Sequence, residues 1–220
     1  MPLIRPFGLP EFWIIVMAAK WTVALSAIAF AGGGLGGLLI ALGRVSDSKW
    51  LRGLATGFIR LFQGTPLLMQ LFLVFFGMNI LGLAINPWIA AAVALTLHAS
   101  AFLGEIWRGC IEAVPSGQRE AATALGLRYV NRMRYVVLPQ ASRIAVAPTV
   151  GFLVQLIKGT SLAAIIGFTE LTRQGQIINN ATFSPFMVFG TVAAVYFVLC
   201  WPLSVLARRM EFRFSRATER

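Results

Sequence analysis

Few side chains in this 220-residue sequence could do chemistry, and their surroundings decide what chemistry that is. Lys158 stands among apolar residues, directly before Gly159, Thr160 and Ser161. An ionisable group at membrane depth is expensive and marks a functional path by default. The Gly-Thr-Ser run can interrupt a helix and expose backbone groups, which must then line a cavity or be buried in protein. Lys158, Thr160 and Ser161 are therefore candidates for a substrate path, where the ammonium would meet a carboxylate. The alternative is that Lys158 snorkels, or pairs with a carboxylate such as Glu170. Thr65 and Gln70 could line the same path or hydrogen-bond between helices. Glu105 and Arg108, one helical turn apart, form an intrahelical ion pair. The single histidine, His98, lies in an apolar run and reads as a neutral packing group rather than a ligand. Cys110 and Cys200 suggest no disulfide framework. There is no metal-ligand cluster, no nucleophile–base pair and no Gly-x-x-x-x-Gly-Lys-Ser/Thr loop. No catalytic residue, metal or cofactor is expected, which argues against a membrane enzyme.

The elements that must position these residues are membrane helices. Mean hydropathy is +0.77, and 58% of residues are hydrophobic and only 12% charged, against about 25% charged in soluble domains. The net charge of +11 does not imply nucleic acid, because no Lys/Arg block alternates with base-stacking aromatics. A span needs about 20 mostly apolar residues. The first is expected from about Trp13 to Leu42, with Lys20 snorkelling near its outer end and Gly32, Gly33, Gly34, Gly36 and Gly37 allowing close helix approach. Leu61 to Gly104 carries no formal charge and is too long for one span. Asn86-Pro87 is its natural break, giving spans near 58–80 and 87–107. A charged stretch, Arg108 to Arg143, comes next. An irregular fourth span starts near Ile144 and meets Lys158-Gly159-Thr160-Ser161. A short apolar piece, Leu162 to Phe168, precedes a last span from about Pro185 to Leu206.

The expectation is an all-α polytopic membrane protein with five transmembrane helices. Arg44, Lys49, Arg52 and Arg60 fall in one connecting segment, Arg108, Arg119, Arg128, Arg132, Arg134 and Arg143 in another, and Arg208, Arg209, Arg213, Arg216 and Arg220 in the tail. These fifteen of the nineteen Lys/Arg residues lie on one side of the five spans, against Arg5, Lys20 and Arg173 on the other. The bias puts the N-terminus outside and the C-terminus in the cytoplasm. Met1 to Pro10 lacks the pattern of a removable signal peptide, and neither an internal repeat nor a second soluble domain is expected.

The basic loop carries a longer pattern: Glu120-Ala121-Ala122-Thr123-Ala124-Leu125-Gly126, nine residues, then Val136-Val137-Leu138-Pro139. It resembles the EAA motif of ATP-binding-cassette importer permeases, with Val136 in place of Ile. Ala121, Ala122 and Leu125 fall at helical spacing and make a small apolar face suited to a groove in another protein. Gly126 can end that helix in a left-handed conformation. The alternative is an amphipathic helix lying on lipid. Gly64-Thr65-Pro66-Leu67-Leu68-Met69-Gln70-Leu71, Glu105-Ile106-Trp107-Arg108-Gly109, Val114-Pro115-Ser116-Gly117-Gln118, Lys158-Gly159-Thr160-Ser161-Leu162 and Glu170-Leu171-Thr172-Arg173-Gln174 are similar to signatures of the polar amino-acid permeases, which handle His, Glu, Gln, Arg and opines. The resemblance covers about residues 18–214. Gln63 stands where that family usually has Arg. Gly159 stands where it often has Asp, which removes one partner for a cationic side chain.

The resemblance implies a type I importer-like permease in the bacterial inner membrane, one transmembrane domain over residues 1–220 with a coupling loop at about 108–143. It implies five partners: a cytoplasmic ATP-binding subunit, a second permease chain (the same or homologous), an extracytoplasmic solute-binding protein, an amino-acid substrate and membrane lipid. It assigns coupling to Glu120, Ala121, Ala122, Leu125, Gly126, Leu138 and Pro139. A self-sufficient pore or secondary carrier for small polar solutes is the alternative.

Overall fold

The computed structural model describes residues 6–218, with side chains described through Phe212. Arg5 and Arg220 of the charge count lie outside the described residues, as do the side chains of Arg213 and Arg216. The described chain is helical, with α1 (Leu9–Arg44), α2 (Lys49–Gln63), α3 (Leu67–Ile80), α4 (Pro87–Glu112), α5 (Ser116–Ala124), α6 (Tyr129–Arg132), α7 (Leu138–Gly159), α8 (Leu171–Thr182) and α9 (Pro185–Thr218). A π-helical turn, Met133–Val137, joins α6 to α7, and a 3₁₀ segment, Thr160–Ile166, prolongs α7. Four helical stretches are long and apolar enough to cross a membrane, and the bent pair α2–α3 makes a fifth.

α4 is the hub. Its Ala90, Ala91, Ala94, Leu95, Ala99 and Leu103 pack against Leu25 and Ala29 of α1, Leu71 of α3, Phe152 and Leu156 of α7, and Ala163 and Ile166 of the 3₁₀ segment. Lipid tails are as apolar as leucine, so close contact rather than hydrophobic burial must hold such helices together. The glycine cluster of α1 supplies that contact. A Cβ at Gly33 would stand 2.3 Å from Ala99 Cβ, one at Gly37 2.9 Å from Leu103 Cβ, and one at Gly104 2.7 Å from Ile40 Cγ2. Residue numbers rise together along both helices, so α1 and α4 run parallel. Their C-terminal ends meet where Arg44 approaches Glu105 at 4.0 Å. At the other end Trp21 and Trp88 make an edge-on contact, 6.0 Å between ring centroids.

Three elements differ from the sequence reading. The second span is not one helix over 58–80: α2 starts at Lys49, and the axis turns 100° before α3. Pro66 is the cause, since it offers no backbone N–H and pushes Thr65 out of the helical region. The fourth span does not begin near Ile144 but continues from Tyr129 through the π turn. There the Leu138 N–H bonds to the Met133 carbonyl, five residues back. Pro139 cannot donate to the carbonyl four residues earlier, and its ring crowds that carbonyl, so the helix widens by one residue. Finally, α8 is a short helix beyond the apolar piece Leu162–Phe168, set off by Gly167 at φ +89°. Only glycine takes that conformation without strain.

The α1–α4 seam gives a direct test. Gly33→Ala adds a methyl group where Ala99 leaves no room, and overpacking of this kind destabilises by about 1–3 kcal/mol. Thermal unfolding of the detergent-purified protein should shift down in Gly33→Ala and recover in the Gly33→Ala, Ala99→Gly double variant. Unchanged stability in the single variant would show that the helices do not meet at this seam.

Candidate functional site

The two interruptions of helical backbone lie side by side. A Cβ at Gly159, where α7 tightens into the 3₁₀ segment, would stand 3.1 Å from Leu67 Cδ2, in the first turn of α3. Each break frees backbone groups that lipid cannot satisfy, and side chains satisfy them. At the first break, Gln70 is buried, and its amide nitrogen donates to Phe62 O (2.7 Å), Thr65 O (3.0 Å) and Thr65 Oγ1 (2.9 Å). Thr65 Oγ1 in turn donates to Leu61 O at 2.8 Å. With the amide nitrogen so engaged, Gln70 Oε1 must face His98, whose Nδ1 is 3.0 Å away; Nδ1 is therefore the protonated nitrogen. The imidazole packs against Phe102 (4.4 Å between centroids), and Phe102 stacks on Phe152 of α7. His98 is thus a packing group, as read from the sequence, but also the strut from the α2–α3 elbow to α4 and α7.

At the second break, Thr160 is fully buried and donates to Ile157 O at 2.7 Å, while Ser161 donates to Lys158 O at 2.7 Å. The Lys158–Glu170 ion pair considered from the sequence is not formed among the described residues. Glu170 is 0% exposed and caps α8: Oε1 accepts from the Arg173 N–H and Oε2 from the Thr172 N–H, both at 2.9 Å. The Tyr196 hydroxyl of α9 donates to Oε2 at 2.9 Å. That leaves Thr172 Oγ1 to donate to the Tyr196 oxygen at 3.1 Å. A helix N-terminus offers several unpaired N–H groups, and the carboxylate consumes two of them. The Tyr196 partner was not legible in advance, since twenty-six residues separate it from Glu170.

The path candidates therefore divide. Gln70, Thr160 and Glu170 are buried and engaged with the protein's own groups, whereas Lys158 is exposed and Thr65 and Ser161 are half-buried. Ile144, Pro148, Gln155 and Lys158 are exposed along one stripe of α7, at helical spacing, with Gly151 and Leu162 half-buried on it. Gln155 was missed in the sequence, although its spacing of three from Lys158 would have found it. A groove of about 840 Å³ between α1, α4 and α7 lies on the other side of α7, where Thr149 takes a hydrogen bond from Trp107 at 2.8 Å. Its lining is otherwise almost wholly apolar, and it offers nothing to a polar solute.

The charged ends of α1 and α4 carry the second candidate region. Arg108 bonds Glu105, with Nε 2.9 Å from Oε2, and also Glu112. Tyr129 donates to Val45 O at 3.1 Å, joining the loop after α1 to the start of α6. α5 projects from this end. It closes with Gly126 at φ +76°, the Gly126 N–H on Thr123 O (2.9 Å) and the Leu127 N–H on Ala122 O (3.1 Å), the paired bonds of a Schellman cap. The single apolar face expected from Ala121, Ala122 and Leu125 is split. Ala122 is buried against the protein, while Glu120, Ala121, Ala124 and Leu125 are exposed, Leu125 by 81%. Leu138 packs with Ile111, Val114, Val137 and Ala141, so it anchors the loop from within, and Pro139 is exposed.

Residues 33–216 match the family described as binding-protein-dependent transport system inner membrane component. The chain is 35% identical over 208 residues to the glutamine transport system permease protein GlnP of Escherichia coli (strain K12), covering 94% of this chain and 95% of that protein. It is 33% identical over 208 residues to a probable amino-acid ABC transporter permease of Bacillus subtilis (strain 168), covering 94% and 92%. It is likewise 33% identical over 208 residues to the L-cystine transport system permease of the same organism, covering 94% and 89%. A crystal structure of an amino acid ABC transporter with histidines superposes with a TM-score of 0.86 at 36% identity, over 91% of this chain and 94% of that one. The MetNI methionine transporter, at 23% identity and a TM-score of 0.75 over 93% and 97%, shares the fold. A chain so matched across its length belongs to the family of binding-protein-dependent transport system inner membrane components: it is a multi-pass permease subunit of an ATP-binding-cassette importer, not an enzyme.

Proposed function

We propose that residues 1–220 form a single transmembrane permease domain that supplies half of the path of an ATP-driven importer for polar amino acids. A second permease chain, the same or homologous, supplies the other half, and a cytoplasmic ATPase and an extracytoplasmic solute-binding protein complete the machine. Membership in a binding-protein-dependent family removes the self-sufficient carrier from consideration. The cargo assignment rests on relatives named for glutamine, cystine and amino-acid transport.

The observation that carries the path is the α7 stripe. Gln155 and Lys158 are exposed on one face of the otherwise apolar second half of α7, and such groups are not stable against lipid. They fit a hydrated path between two permease chains. Thr65 and Ser161 stand beside it. Gln70, Thr160 and Glu170 act behind it, holding the two breaks in shape. Lys158 offers its charge to the substrate carboxylate.

Coupling runs through α5. Glu120, Ala121, Leu125 and Gly126 meet the ATPase, while Ala122, Leu138 and Pro139 set the helix on its base. Gly126→Asp tests this. A non-glycine residue at this left-handed position costs roughly 1–2 kcal/mol, and the new carboxylate adds charge to the docking surface. The variant should still insert and bind the second permease chain, but lose the ATPase subunit on purification or lose substrate-stimulated ATP hydrolysis. Wild-type uptake by this variant would reject docking through α5.

Topology follows from the same end of the molecule. The termini are assigned outside (N) and cytoplasmic (C) on the positive-inside bias. Reporter fusions at Arg52 and Ser116 should read cytoplasmic, and one at Asn86 should read outside. A cytoplasmic signal at Asn86 would mean that α2 and α3 together do not cross the membrane.

A further inference from the structure

The sequence contains eight acidic residues, of which the structure describes seven. Glu11 bonds the Gly8 N–H at 3.0 Å in the first turn of α1. Asp47 lies in the turn between α1 and α2, Glu120 on α5 and Glu211 in the last turns of α9. Glu105 and Glu112 are both held by Arg108 at the end of α4. Glu219 falls outside the described residues, beyond the end of α9. Among the described acids Glu170 alone lies near the second helix break, and both its oxygens are used, in a site with no exposed surface. The exposed stripe of α7 thus carries one charge, Lys158, and no carboxylate. A second copy of the chain would bring the same set, so among the described residues no acid is placed to neutralise that ammonium.

We infer that this chain is a charge filter: its half of the path accepts amino acids with uncharged or acidic side chains and rejects those with cationic ones, and Lys158 is the residue that decides. The inference rests on the proposed path along α7. A substrate with a neutral side chain leaves one net attraction, its α-carboxylate with Lys158. An acidic side chain adds a second acceptor for the ammonium's three donors. A cationic side chain brings a like charge towards Lys158 with no compensating carboxylate, in surroundings less polar than water, where such repulsion is strong.

The experiment must separate this chain from the binding protein, which does its own selecting. Equilibrium binding of radiolabelled glutamine, glutamate, arginine and lysine is measured on the detergent-purified permease–ATPase complex without the binding protein. Glutamine and glutamate should bind at least about tenfold more tightly than arginine and lysine, the size expected for one unfavourable charge pair at intermediate polarity. Lys158→Glu should reverse the order. Lys158→Gln, which removes the charge without adding one, should bring arginine to within a few-fold of glutamine. Arginine binding as tightly as glutamine in the wild type would overturn the inference. So would an unchanged order of affinities in either variant that still co-purifies with the ATPase. Uptake of amino acids in vesicles with no binding of any of the four to the complex would also overturn it, because the path would then not select. Absence of both binding and uptake for every amino acid would instead reject the proposed amino-acid cargo.

Discussion

The approach of α1 to α4 is the constraint from which the rest of this structure follows. At Gly33, Gly37 and Gly104 there is no space for one additional carbon. Two parallel helices held that closely must be joined by a return crossing, and the bent pair α2–α3 supplies it. The same contact places the C-terminal ends of both helices together, where Arg44, Glu105 and Arg108 share charges. The loops that follow, one short and one carrying α5, therefore emerge at one end of the molecule. A seam of small residues suits a membrane protein because apolar burial gives no preference for protein over lipid, while close van der Waals contact does.

Around that seam, two spans are interrupted, and side chains rather than solvent satisfy the backbone groups at each break. Gln70 answers the carbonyls freed by Pro66 and, through His98, ties the elbow to the aromatic stack of Phe102 and Phe152. Glu170 answers the N–H groups at the start of α8 and is tied to α9 through Tyr196. Gln70, Thr160 and Glu170 thus hold the helix breaks in shape, while the stripe of α7 that carries Gln155 and Lys158 stays exposed. Buried networks of this kind work only when every member is satisfied, and these are.

The docking end obeys a similar division. Pro139 widens the helix into a π turn, and Leu138 and Val137 sink into a small apolar cluster with Ile111 and Val114. Ala122 turns inward and Leu125 outward. Packed side chains thereby join the π turn beside α5 to the base of α4 and the start of α7.

Much of this could be read from the residues themselves. Hydropathy gave the number of crossings, because a span's length is dictated by the bilayer. The glycine cluster announced a close contact, Gly126 announced the end of a helix, and the Glu105–Arg108 spacing announced an ion pair, since each depends on neighbours within a turn or on backbone geometry alone. The bend at Gly64–Pro66 was hidden by an apolar run that reads as one span, although Pro66 was its visible cause. The distant partners of Gln70 and Glu170 could not be read at all. His98 lies twenty-eight residues from Gln70 and Tyr196 twenty-six from Glu170, and only the packing of α4 and α9 brings them together. The residue types along the chain therefore determined a polytopic permease with a short glycine-closed helix in its basic loop, because periodicity and backbone preference are local. Which polar groups stay exposed and which hold the helices was decided by tertiary structure, because burial and hydrogen bonding between helices are properties of the assembled bundle.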